Sequence, residues 1–90
     1  MSKINVYASL GLLNELNSLR KRLLPLAEST IDVKIFEFFL KSFQLVENTI
    51  VNNVRCESAK WVELVDEQLS ILREIIAKLE DELIIVENNL

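Results

Sequence analysis

Few side chains in this chain could do chemistry, and their spacing limits what they can do. The tightest acidic run is Glu80, Asp81 and Glu82. Carboxylates held close together can share a proton or bind a cation. On a helix, however, consecutive residues point ~100° apart, so these three do not converge on one site. The expectation is a solvated face. Cys56 is the only cysteine. A thiol at a helix N-terminus can be activated. With no histidine to help it and Glu57 adjacent, Cys56 reads as an ordinary, partly buried cysteine.

The one basic run is Arg20, Lys21 and Arg22. It could touch an anionic partner: a phosphate, or an acidic protein face such as the acidic half of this same chain. A simpler reading places it near the C-terminal end of the first helix, where positive charge complements the helix dipole.

Missing residue types exclude more. Without histidine there is no customary general base at neutral pH and no imidazole metal ligand. One cysteine cannot build a structural zinc site, and one glycine cannot make a phosphate-cradling loop. An electrostatic site of arginines and glutamates between helices would need inward-facing arginines. None of Arg20, Arg22, Arg55 and Arg73 falls on an inferred core stripe. No catalytic, cofactor-binding or metal-ligating residue is therefore expected, and the chain reads as non-enzymatic.

The elements follow from apolar periodicity. Half of the 90 residues are hydrophobic, with one Gly and one Pro, which argues against disorder and against a β-rich fold. The length allows one domain, 1–90. Three long antiparallel helices are predicted, at about 5–24, 30–54 and 59–87, packed as an all-α bundle. The first carries Leu12, Leu16, Leu19, Leu23 and Leu26 at steps of four and three. Its start is ambiguous, because Ile4, Val6 and Ala8 alternate as a strand would. Pro25 disfavours helical geometry at Leu24, so the helix is expected to end there. Ser29 is expected to cap the second helix, with Asp32 completing a capping box. The core series of helix two is Phe36, Phe39, Phe43, Val46 and Ile50. All four phenylalanines lie within residues 36–43, which predicts a dense aromatic centre for the core.

No Gly or Pro separates helices two and three. The phase of their stripes separates them instead. Extended backwards, the C-terminal heptad falls on Ser58, Arg55, Asn48, Gln44, Lys41, Glu37 and Lys34, with Val51 the one apolar position. A chain reversal near Asn52–Ser58 resolves the mismatch, with Ser58 as cap. The alternative is one long helix with two apolar faces.

Helix three bears an unbroken coiled-coil stripe: Val62, Val65, Leu69, Leu72, Ile76, Leu79, Leu83, Val86 and Leu90. Beside it, Trp61, Leu64, Ile71, Ile75 and Ile85 widen the apolar arc, so this helix should touch two neighbours. The stripe and Trp61 are the expected oligomer or partner interface. Trp61 and Tyr7 are otherwise expected in the core.

The formal net charge is −4, and the sequence pI is about 4.8. Residues 1–56 carry seven Lys/Arg against five Asp/Glu, and residues 57–90 three against nine. Such an acidic balance disfavours nucleic acid as a partner. No apolar run approaches the ~20 residues that a bilayer needs. The lone cysteine and the lack of a secretory leader set the expectation of a reducing, cytoplasmic setting. The chain thus reads as a helical bundle that acts through protein–protein contact, as adaptor, scaffold or assembly subunit. A homodimer is the favoured assembly and another helical protein the other partner. The alternative is a small nucleic-acid-binding regulator that uses Arg20–Arg22.

Overall fold

The computed structural model describes residues 3–29 and 32–88, with the side chains of 5–28 and 32–84. Three helices follow one another: α1 (Lys3–Ser29), α2 (Val33–Asn53) and α3 (Lys60–Asn88). They pack as an all-α bundle in which every helix touches the other two. Two ion pairs fix the direction of α1 against α3. Glu15 meets Arg73 and Arg22 meets Glu80, each across 58 positions, so these helices run parallel. Arg20 on α1 meets Glu47 on α2, where the chain has reversed. The order is up, down, up.

The core is the set of stripes that periodicity predicts. Leu12, Leu16, Leu19, Leu23 and Leu26 of α1 are all buried. Phe39, Phe43, Val46 and Ile50 of α2 pack against them, as do Trp61, Val65, Leu69, Leu72 and Ile76 of α3. Leu79 and Leu83 continue the stripe, partly buried. Each fully buried large side chain of this kind contributes about 1.5–3 kcal/mol by leaving water. Val86 lies in α3, but its side chain is outside the described residues, and Leu90 is outside them altogether.

Several expectations need correction. Helix α1 does not end at Leu24; it runs through Pro25 to Ser29. Proline lacks the N–H that would bond to Lys21 and costs helix stability, yet its fixed φ is itself helical. One further turn buries Leu26 to 2% exposure, which offsets the loss. Ser29 is thereby used as the last residue of α1 and does not cap α2. Asp32 is the cap: its backbone is extended at φ −63°, ψ 142°, and its side chain accepts from the Lys34 N–H. That bond is 2.8 Å long, and the Asp32 carbonyl accepts from Phe36 N–H at 2.9 Å. A carboxylate suits the positive end of the helix. The N-terminal stretch that alternates like a strand is helical from Lys3.

The aromatic centre is narrower than expected. Only Phe39 and Phe43 are buried, with ring centroids 5.9 Å apart. Phe36 is half-buried, and Phe38 is 55% exposed. Tyr7, expected in the core, is 73% exposed. Both miss because each sits off its helix's buried stripe.

The break between α2 and α3 is present, and one long helix is excluded. Cys56 N–H bonds to the Asn53 carbonyl at 3.0 Å as the chain turns. Ser58 Oγ accepts from the Lys60 N–H at 3.3 Å, and Val62 N–H bonds to the Ala59 carbonyl at 3.1 Å, starting α3. Asn5 of α1 reaches across to this turn. Its Nδ2 donates to the carbonyls of Cys56 and Ser58, 51 and 53 residues away.

Candidate functional site: the open side between α2 and α3

Two of the bundle's three seams are closed by charge. Along α1 and α2, Arg20 pairs with Glu47 at 2.6 Å. The same guanidinium donates to Asn17 Oδ1 at 3.3 Å and lies 5.9 Å from the centre of the Phe43 ring. Along α1 and α3, Arg22 makes a forked pair with Glu80 at 2.5 and 3.3 Å. The hydrogen bond from Arg22 to Glu80 raises the Arg22 pKa above its usual value, against a smaller opposing effect of burial. Arg73 and Glu15 close the same seam two turns away.

These pairs revise the reading of the basic run. Because α1 extends to Ser29, Arg20, Lys21 and Arg22 lie about two turns before its end, and none sits in the last turn. The helix-dipole role does not hold. Two of the three are held in cis by acidic side chains, and Lys21 is the one exposed to solvent. The acidic run is likewise divided. Glu80 pairs with Arg22, while Asp81 and Glu82 stay exposed. Among the described residues no three His, Cys, Asp or Glu side chains converge to hold a metal ion. Cys56 is half-buried, and its thiol donates to Asn53 Oδ1 at 3.2 Å.

The heptad stripe finds its partner inside the chain. Trp61, Val65, Leu69, Leu72 and Ile76 are at most 8% exposed, packed against α1 and α2. Val62, Leu79 and Leu83 pack partly against the same core. Trp61, Val65, Leu69, Leu72 and Ile76 are thus used within the chain, while Val62, Leu79 and Leu83 stay partly exposed.

Exposed apolar side chains remain on all three helices, among them Tyr7, Leu10 and Leu24 of α1 and Leu40 and Val51 of α2, and four others flank the α2–α3 seam. On α2, Phe38 and Leu45 are 55% and 67% exposed. On α3, Leu64 and Ile71 are 64% and 52% exposed. In each pair the residues are seven apart, two helical turns, so they share a face. Leu45 and Ile71 line one cleft of about 220 Å³ together with Ser42, Val46, Gln68 and Leu72, while Phe38 and Leu64 lie two turns away along their helices. None of the six is charged. The clefts beside α1 differ: one is bordered by Arg20 and Lys21, the other by Lys21, Arg22 and Glu80. Among the described residues no ion pair joins α2 to α3.

Sequence reasoning placed Leu64 and Ile71 on the wide arc of α3 and expected a neighbour to cover them. The helix does touch two neighbours, yet these two residues point past both. Asn5 was missed as well. Extending the α1 stripe back from Leu12 lands on Ser9 and then Asn5, both buried, so the signal was a polar interruption of a leucine series. Asn5 Oδ1, Ser9 Oγ and the Trp61 indole N–H are buried without a hydrogen-bond partner.

Among the described residues no helix is long and apolar enough to cross a membrane. Comparison with protein-family models, with curated proteins and with solved structures gave no match to this chain.

Proposed function

We propose that this chain is a non-enzymatic helical module that acts by binding protein, as an adaptor, scaffold or assembly subunit, and that it self-associates. The observation that carries this reading is the uncharged cleft between α2 and α3, with Phe38, Leu45, Leu64 and Ile71 exposed along the same seam. Apolar side chains left exposed beside an uncharged cleft on a small protein suit a contact site. The lone thiol of Cys56 suits a reducing compartment, the cytoplasm.

A nucleic-acid role for Arg20–Arg22 gains no support, since Glu47 and Glu80 already occupy two of its three cations. The reading is tested with a photo-cross-linking residue placed at 45, at 71, or at 18 on the exposed side of α1, in cells that express the chain. Protein adducts concentrated at 45 and 71 are expected. Equal yields at all three positions would overturn it.

A further inference from the structure

The two parts of α1 are held differently. From Leu12 on, Leu12, Leu16, Leu19, Leu23 and Leu26 bury one leucine on every turn. From Asn5 to Gly11 the buried side chains are Asn5 and Ser9, and neither is apolar. Val6 and Ala8 are half-buried, while Tyr7, Leu10 and Gly11 are exposed. Apolar burial is the main force that holds a helix to its neighbours, and this segment supplies little of it. The ion pairs of α1 also start later: among the described residues they are made by Glu15, Arg20 and Arg22.

What ties the segment down is polar. Asn5 Nδ2 donates to the carbonyls of Cys56 and Ser58, in the turn before α3. Closing this end also leaves polar atoms unmet. Asn5 Oδ1 and Ser9 Oγ, one helical turn apart on the buried side, have no hydrogen-bond partner, nor does the indole N–H of Trp61. Trp61 stands in the first turn of α3, three residues past the Ser58 whose carbonyl Asn5 holds. Water would satisfy all three atoms, so each opposes closure.

Gly11 lies between this segment and the leucine series. It has no side chain to pack, and it weakens a helix more than any residue except proline. Asn5, Val6, Tyr7 and Ser9 are weak helix formers as well. Off the bundle, a terminal stretch of this composition does not stay helical, because packing is what holds most helices.

We infer that residues 3–11 of α1 form a strap over the turn end of the bundle: they unwind as a unit and uncover Trp61 while the core from Leu12 to Ile76 stays closed. The strap does not depend on what binds at the α2–α3 cleft. Its boundary follows from helix geometry, in which each N–H bonds to the carbonyl four residues earlier. Amides 7–15 donate to carbonyls 3–11 and lose their partners together. The Leu16 N–H, bonded to the Leu12 carbonyl, keeps its own.

The test is amide hydrogen exchange, read residue by residue by NMR across low urea concentrations. Residues 7–15 should share one opening constant, roughly 100-fold or more above that of residues 16–26. Protection that climbs residue by residue from 7 is ordinary fraying of a helix end, and equal protection throughout α1 is a single cooperative unit; either overturns the strap. The Trp61 indole N–H should exchange with the opening constant of residues 7–15. Exchange with that of the core instead would overturn its uncovering.

Three variants sharpen the result. Asn5→Ala unties the strap and should raise its opening constant about tenfold, whereas Ser9→Ala removes an unmet hydroxyl and should lower it about fivefold. Shifts of the same sign, or none, would count against the polar tie. Ile76→Val in the core should speed exchange at 16–26 about threefold or more and leave 7–15 unchanged. Equal acceleration of both would show that the strap does not open by itself.

Discussion

Helix α3 meets its two neighbours in contrasting ways. Against α1 it is parallel and is fastened by two ion pairs, Glu15–Arg73 and Arg22–Glu80. Against α2 it is antiparallel and held by buried apolar side chains, with an uncharged cleft left along the outside. The contrast separates two uses of one residue type. Ile76 is fully buried between the helices, while Ile71, five residues earlier, is 52% exposed. Five residues turn a helix by ~500°, or ~140° beyond a full turn. The same aliphatic side chain is core at one position and open surface at the other.

The sharpest way to break this comparison is to truncate both isoleucines. Ile76→Ala should cost ~2–5 kcal/mol through lost burial and an unfilled cavity. Ile71→Ala, measured at a dilution where the chain is monomeric, should cost well under ~1 kcal/mol. Urea unfolding midpoints decide; equal losses would mean that the open side is not open.

A smaller effect tests the end of the bundle. Asn5→Ala removes the donor that holds the Cys56 and Ser58 carbonyls and should cost ~1–3 kcal/mol. Faster amide exchange around residues 56–62 would show that the loss is local to the turn. No change in stability would mean that Asn5 does not hold it.

Next comes Gly11, in the exposed part of α1, where an added methyl group would meet nothing within 4 Å. Gly11→Ala should stabilise the bundle by ~0.5–1 kcal/mol, read as a higher melting temperature. The smallest effect belongs to the charged seam. Arg22→Ala should cost no more than ~1 kcal/mol, and less in high salt, because both side chains of that pair are 36% exposed and solvent screens them. A loss several times larger would show that the α1–α3 seam is clamped by charge more than by packing.

The sequence made some of this legible and hid the rest for physical reasons. The buried leucines of α1 and the break near Asn52–Ser58 were readable because periodicity and stripe phase are local properties. The end of α1 was misread because a penalty at Pro25 is local, whereas its compensation, the burial of Leu26, depends on helices elsewhere. Arg20 and Arg22 could be seen as a basic run. Their partners Glu47 and Glu80 follow only once the helices have a register. The cleft was the least legible part. Leu64 and Ile71 look like core in one dimension, and only the placement of α2 decides that they are left uncovered. Phe38 hides for the same reason.

The parallel pairing of α1 with α3 has a consequence for synthesis. A ribosome makes α1 first and α3 last, and the two are fastened across 58 positions. Until α3 emerges, the leucine stripe of α1 has only α2 to lie against, although the turn carbonyls that Asn5 grips, at Cys56 and Ser58, are made just before it. The emerging chain therefore passes through a two-helix stage with its future interior open, and closing that interior is the last event rather than a gradual one.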